Sequence, residues 1–377
     1  MAGFHAGWLG PFLPRISRSL NVSIDLAGLA VSVSAAGGVL ALLAAGEISR
    51  RWSARAVLTG AMVLIATGTL LLAMAPRLSI YLLGAFLLGP GYGAVDVAGN
   101  TLVVELNRDR LSGALNFLHL LFGLGALIGP IIAGVAMTHG VPYWFVFGGG
   151  ATFAALIAAA LYITPAPEIR VRAAGGDGLV TMLSHPFIWL VGAVLFFYVA
   201  AEAGIGTWLF VYLRRAGLFS VSLASGGVSM YWFGLVLGRA AGGIIGNRFA
   251  VRTVTMIAAL LSLIAVVTLV MAPTTHTIAG VATMLIGLGY GPIFPNMIAI
   301  GAERFSTELE RMSSIVIAGG AIGAIFGPWA MGYALVVAGP RASMEVALAI
   351  TALMLMVAVV GLWSSDRPDQ AANLLRA

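Results

Sequence analysis

The sequence predicts an all-α membrane protein of twelve transmembrane helices, arranged as two pseudo-symmetric six-helix bundles. Three observations carry that expectation. Of the 377 residues, 60 % are hydrophobic and 9 % charged, with a mean hydropathy of +1.02, too little polar surface to clothe a soluble chain of this length. Apolar runs of about 20 residues, the length that crosses a bilayer, recur from one end of the chain to the other. Finally, Gly89 to Pro130 and Gly287 to Pro328 read alike at a constant offset of 198 residues. Gly91-Tyr92-Gly93, Gly125 and Gly129-Pro130 in the first stretch answer Gly289-Tyr290-Gly291, Gly323 and Gly327-Pro328 in the second. A register held over about forty residues is an architectural repeat, and in so apolar a chain it implies two homologous helical halves.

The spans are expected at residues 1–14, 27–46, 56–75, 79–104, 112–137 and 142–163, which make an N-terminal bundle of residues 1–163. A polar stretch at 164–185, with Pro165, Pro167, Arg170, Arg172 and Gly175-Gly176-Asp177-Gly178, reads as the linker. The second set falls at 186–212, 222–246, 254–272, 278–301, 312–337 and 343–363, a C-terminal bundle of residues 186–363 followed by a tail at 364–377. Helix 1 is short: Met1 to Pro14 gives about 21 Å of helix against a hydrocarbon core of roughly 30 Å. At an offset of 199, Leu13-Pro14-Arg15 aligns with Tyr212-Leu213-Arg214, so the partner of Phe187 falls near position −12 and about a dozen residues of helix 1 are expected to be missing.

Composition also excludes function classes. There are no cysteines, which removes disulfides, thiolate nucleophiles and cysteine metal sites. All twenty basic residues are arginine, so lysine Schiff-base chemistry and lysine-dependent phosphate loops are absent too. The glycine runs Gly89-x-Gly91-x-Gly93 and Gly123-x-Gly125 lie inside apolar helices and follow no strand, which excludes a nucleotide-binding turn. The net charge of +6 is spread through short loops and forms no nucleic-acid patch. Thirteen arginines fall in the loops and tail on the linker side, six on the opposite side, and one, Arg239, inside a span. The positive-inside rule therefore predicts an inner (plasma) membrane protein with both termini cytoplasmic. No cofactor or metal is expected, since no span carries a serine, histidine and carboxylate set or a metal-ligand spacing.

Ionisable residues within spans each cost roughly 2.5 to 3.5 kcal/mol on insertion scales and are functional candidates by default. Helix 4 carries Asp96 with Tyr92 one turn before and Asn100 one turn after, on one face. Helix 5 carries Asn116 and His119, also on one face and within reach of Asp96 around a short loop. Helix 7 has Glu202 with Trp208 beyond it, and helix 8 has Arg239, whose expected partners are Glu303 or the helix 4 and 5 cluster. The repeat supplies a control. Asp96 matches Phe294, His119 matches Ile317, Glu202 matches Gly3, and Arg239 matches Ala41 or Leu42. A group that the common scaffold required would tend to appear twice, so these four read as additions for a task.

Both halves carry an arginine-bearing loop after their second helix, Gly46-Glu47-Ile48-Ser49-Arg50-Arg51-Trp52-Ser53-Ala54-Arg55 and Gly243-Ile244-Ile245-Gly246-Asn247-Arg248-Phe249-Ala250-Val251-Arg252. With the twelve-helix repeat, these resemble the cytoplasmic signature of the major facilitator superfamily, and Arg51 and Arg248 take its gating positions. Gly93 to Thr101, Leu115 to His119 through Gly129-Pro130, Tyr198 to Tyr212 including Glu202, and Phe233 to Phe249 including Gly238-Arg239 resemble helices 4, 5, 7 and 8 of the fucose, galactose and glucose proton-symporter group. That resemblance implies a secondary transporter of a hexose-like sugar, working as a monomer by alternating access. Asp96 takes the proton-coupling role by position; a second carrier, if there is one, would be Glu202 or His119. Helices 1, 4, 7 and 10 would line the cavity, nominating Trp8, Tyr92, Asn100, Trp208, Tyr290 and Asn296, with Asn116 beside them, for solute. The group's helix 1 often has an Asn-Asp pair before a Leu-Pro, and this chain instead reads Leu9-Gly10-Pro11-Phe12-Leu13-Pro14. A proton-coupled exporter of drugs or metabolites and a sodium-coupled symporter remain the alternatives.

Overall fold

The computed structural model describes residues 1–106, 111–164, 182–245, 248–305 and 309–364. Most of the linker expected at 164–185, nearly all of the tail, and the side chains of Asn100, Asn116 and His119 lie outside the described residues. The first half contains α1 (Ala2–Leu20), α2 (Ile24–Arg51), α3 (Ala54–Met74), α4 (Leu78–Leu106), α5 (Leu111–Thr138) and α6 (Tyr143–Ile163). The second contains α7 (Pro186–Arg215), α8 (Val221–Ile245), α9 (Val251–Met271), α10 (His276–Tyr290), α11 (Ile293–Arg304), α12 (Leu309–Ala338) and α13 (Pro340–Ser364). Among the described residues, eleven segments are long and apolar enough to cross a membrane, with α10 and α11 joined in one, and α1 fills the twelfth position. Phe145, Leu156 and Val360, each at least 64 % exposed on α6 and α13, are side chains for lipid to cover.

The repeat seen in the sequence returns as a repeat of packing. In the first half α1 packs on α5, α2 on α4, and α3 on α4 and α6; in the second half α7 packs on α12, α8 on α10, and α9 on α10 and α13. Two glycine pairs explain why the motif is written twice. A side chain at Gly89 of α4 would collide with the Ser34 carbonyl of α2, and one at Gly287 of α10 with the Tyr231 carbonyl of α8. Gly129 of α5 lies against the Phe4 carbonyl of α1, and Gly327 of α12 against the Ala200 carbonyl of α7. Small residues at these crossings let backbones meet where lipid offers no hydrophobic drive for helix association.

Between the halves α2 packs on α12, α5 on α8 and α1 on α7. The described polar contacts there sit toward the end opposite the linker, called here the far end. The Ser32 hydroxyl donates to the Ile325 carbonyl at 2.7 Å, and the Ser229 hydroxyl to the Leu127 carbonyl at 2.9 Å. Gly10 lies so near α7 that a Cβ there would stand 2.6 Å from the Thr207 carbonyl oxygen.

Two expected element boundaries are corrected. Helix 1 does not stop at Pro14 but runs 19 residues to Leu20, about 28 Å. A proline removes one N–H and displaces one carbonyl, which a packed membrane helix tolerates when neighbours re-satisfy the backbone. The stop comes at Asn21, left-handed at φ 51°, where the Asn21 N–H bonds the Arg18 carbonyl and the Val22 N–H bonds the Ser17 carbonyl. The tenth span, expected as one helix, is divided at Gly291-Pro292 into α10 and α11. Pro292 has no N–H to continue the ladder, and its sister position in the unbroken α4 is Ala94.

Gly280 and Gly287 lie on the same helix, and only Gly287 is crowded, since nothing stands within 4 Å of a Cβ built at Gly280. Gly287→Ala should destabilise the protein by about 1–3 kcal/mol through overpacking. Gly280→Ala should gain up to about 1 kcal/mol from helix propensity. Melting in detergent ranks the two, and equal melting temperatures would contradict the packing account.

Candidate functional site

The ionisable and aromatic residues gather in two clusters, one in each half. In the second half, Glu202 of α7 and Arg239 of α8 form an ion pair, Oε1 to Nη2 at 3.7 Å. Arg239 lies nearer the linker end than Glu202, and a helical Cβ leans toward the helix N-terminus, which on α8 is the direction of Glu202. The partner expected for Arg239 was Glu303 or the helix 4 and 5 cluster; it is Glu202, and Glu303 is exposed at the end of α11. The side chains of Arg239 and Glu202 are 34 % and 15 % exposed, so the pair borders a cleft and is not sealed in the core.

Tyrosines enclose this pair. The Tyr231 hydroxyl donates to the Glu202 carbonyl at 3.1 Å. The Tyr198 hydroxyl stands close enough to Glu202 and Arg239 to interact with both charges, yet meets neither in hydrogen-bond geometry. The Tyr198 ring meets Tyr290 edge-on at 5.8 Å and Phe294 at 6.4 Å. Tyr290, nominated for solute, is fully buried and its hydroxyl is shared with Thr351 at 2.6 Å. Among the described residues, six buried donors of this half lack partners: Tyr198 Oη, Trp232 Nε1, Asn296 Nδ2, Arg239 Nε and the hydroxyls of Ser225 and Ser343. A buried polar group left without a partner costs about 1–3 kcal/mol, so a water or a ligand is the natural occupant of such a place.

The first-half cluster centres on His5, which the sequence reading passed over. His5 is buried, with Nε2 3.0 Å from the Thr69 hydroxyl and Nδ1 3.3 Å from the Met1 carbonyl. The Met1 carbonyl can only accept, so a hydrogen bond there puts a proton on Nδ1; the single Thr69 proton is shared between His5 Nε2 and the Ile65 carbonyl, which lies 2.6 Å from the same hydroxyl. Trp8 meets His5 edge-on at 5.1 Å and Tyr92 lies 5.7 Å away. Trp8 is buried against Phe147 and Gly150 of α6, and Trp8 Nε1 and Tyr92 Oη have no partner. Asp96, one turn beyond Tyr92, is exposed. His5 was legible after all: at the offset of 199 its sister is Gly204, the same signature that singled out Glu202.

Other nominees are placed differently. Trp208 is 1 % exposed, donates its indole N–H to the Pro328 carbonyl at 2.8 Å, and fills a slot over Gly28 and Gly332, where it ties α7 to α2 and α12. Arg51 and Arg248 are exposed at the linker end. Asn100, Asn116 and His119 carry side chains outside the described residues, so their meeting with Asp96 stays an expectation.

Leaving one partner of the ion pair alone should cost more than removing both. Because the pair is partly open to solvent, Glu202→Gln and Arg239→Met should each destabilise by about 1–3 kcal/mol, and the double variant should recover part of that loss. Thermal unfolding of the three variants in detergent measures the coupling, and strictly additive losses would dissolve it.

Comparison with known proteins shows the family and the fold. The sequence matches the model of the Major Facilitator Superfamily over residues 1–309 and again over 218–376. A putative glucose/galactose transporter of Helicobacter pylori is 23 % identical over 286 residues, covering 69 % of each chain. Among solved structures, the nucleoside transporter NupG superposes with a TM-score of 0.80 at 13 % identity, covering 96 % of both chains. The E. coli fucose:proton symporter superposes with a TM-score of 0.62 at 18 % identity, also covering 96 % of both. At these identities the two structures show a common fold.

Proposed function

The chain belongs to the Major Facilitator Superfamily and is a multi-pass membrane transporter, not an enzyme, and we propose that it carries a hexose-like sugar by alternating access coupled to protons. The observation that carries this reading is the pair of unpartnered donors, Tyr198 Oη and Arg239 Nε, set beside Glu202 among tyrosine rings. A sugar presents hydroxyls that accept from such donors and apolar ring faces that rest on tyrosine and tryptophan, the mixture a small-molecule site needs. The Helicobacter relative is named for glucose and galactose, and the E. coli fold neighbour for fucose and protons; both names support the same solute class.

Coupling is assigned to Asp96. It is exposed while the halves touch toward the far end, and in the opposite state it would be enclosed. A carboxyl that alternates between water and an apolar cleft binds its proton differently in the two, which is what a coupling site requires. His119 and Glu202 are the further candidates for the proton path, and Glu202 is held by Arg239 in the state described. The two bundles, residues 1–163 and 186–363, would rock about the solute within one monomer. The arginine excess on the linker side supports a plasma-membrane protein with the linker end and both termini cytoplasmic.

The test uses purified protein in vesicles, with a panel of labelled hexoses and an imposed pH gradient. Accumulation of at least one hexose against its gradient is expected, and it should collapse when the pH gradient is dissipated. Asp96→Asn should abolish accumulation while retaining at least part of solute counterflow. Accumulation by Asp96→Asn equal to the parent at every pH would remove Asp96 from coupling, and dependence on a sodium gradient would replace the proton by sodium.

A further inference from the structure

We propose that the two halves, where they close at the far end, build a binding site for a phosphate-bearing anion. A cavity of about 310 Å³ lies there, lined by Arg15 and Arg18 from the end of α1 and by Arg214 and Arg215 from the end of α7. Each half thus contributes two arginines, and no carboxylate lines the cavity. Only six arginines fall on this side of the membrane, the side that positive charge avoids, and four of them converge on this one cavity. Positive charges gathered this closely repel, so the closed far end carries an electrostatic cost that an anion between them would offset.

The arginines are held in place without being neutralised. Arg15 donates from Nη1 to the Val141 carbonyl and from Nη2 to the Met137 carbonyl, both at 2.9 Å. Arg18 donates from Nε to the Pro14 carbonyl at 3.1 Å, and Arg214 from Nη1 to the Phe219 carbonyl. A guanidinium has five N–H groups, so most donors remain available, and Arg215 has no partner among the described residues. Forked, fixed donors suit a tetrahedral oxyanion, which takes two parallel hydrogen bonds from each arginine. The cavity is too large for a halide, and Pro11, Phe210 and Val211 give it an apolar wall. Phosphate carrying an organic substituent, from a lipid headgroup or a free phosphoester, meets both requirements.

The site exists only while α1 and α7 meet, since its arginines come from opposite halves. An occupant therefore holds the far end shut; this consequence rests on the alternating-access reading, whereas the binding itself does not.

The experiment measures melting of delipidated protein in a maltoside detergent, at constant ionic strength, in chloride and with increasing sodium phosphate or glycerol phosphate. A saturable rise of about 3 °C or more is expected with either phosphate and not with chloride. Arg18→Gln combined with Arg215→Gln, both at exposed positions, should lose that rise while melting in chloride at or above the parent's temperature, because repulsion is relieved. Arg77→Gln, an exposed arginine on the same side outside the cavity, should keep it. In phosphatidylglycerol vesicles, no further rise on adding phosphate identifies the lipid headgroup as the occupant, and an undiminished rise identifies the free anion. Absence of any rise in the delipidated parent, or an equal rise in the double variant, overturns the site.

Discussion

Helices in a lipid core gain nothing by hiding apolar side chains from one another, because the lipid is as apolar as they are. Association rests instead on how closely the backbones approach. Four crossings in this protein are set by that condition, α4 on α2, α10 on α8, α5 on α1 and α12 on α7, each with a glycine pressed against a neighbouring carbonyl. Much else follows from those spacings. Trp208 finds its slot because Gly28 and Gly332 leave one, and the serine hydroxyls at 32 and 229 reach across to opposite-half carbonyls because the helices bearing them are held near.

On this shared frame the two halves differ in charge. The second half holds an ion pair in its cleft, ringed by tyrosines; the first holds a buried histidine on a threonine, with an exposed aspartate beyond. At the repeat offset, the position of Asp96 is Phe294, which packs on Tyr198, and the position of Glu202 is Gly3, which packs on the backbone of α5. What one half uses for packing, the other uses for polar chemistry. The scaffold is symmetric and its contents are not.

The fold was legible in the sequence because both of its signals are local or periodic: apolar length marks each span, and a fixed offset marks the repeat. The limits of helix 1 and the break in the tenth span were not, because a proline's effect depends on what surrounds it. Pro14 and Pro90 sit in continuous helices, whereas Pro292 ends one. The candidate site was legible by residue type and only partly by partnership. Glu202 and Arg239 stood out singly as charges in apolar helices, but their pairing depends on how α7 and α8 lie side by side and on the reach of one long side chain, neither of which spacing along the chain reveals. Trp208 misled for a related reason: a tryptophan on a cavity-lining helix can face the cavity or a neighbour, and here two small residues settle it.

The break between α10 and α11 has a mechanical consequence. Gly291, at the joint, lies against the backbone of α8 at Leu235 and Arg239, with a built Cβ only 2.5 Å from the Arg239 nitrogen. A joint seated on another element cannot flex without dragging it. Any bend at Gly291-Pro292 must therefore shift the stretch of α8 that bears Arg239, and with it the arginine's grip on Glu202. The first half has no such linkage, since α4 is continuous through the same depth. The protein resembles a pair of tongs with one stiff jaw and one jointed jaw, in which the hinge pin of the jointed jaw is bolted to the element that grips.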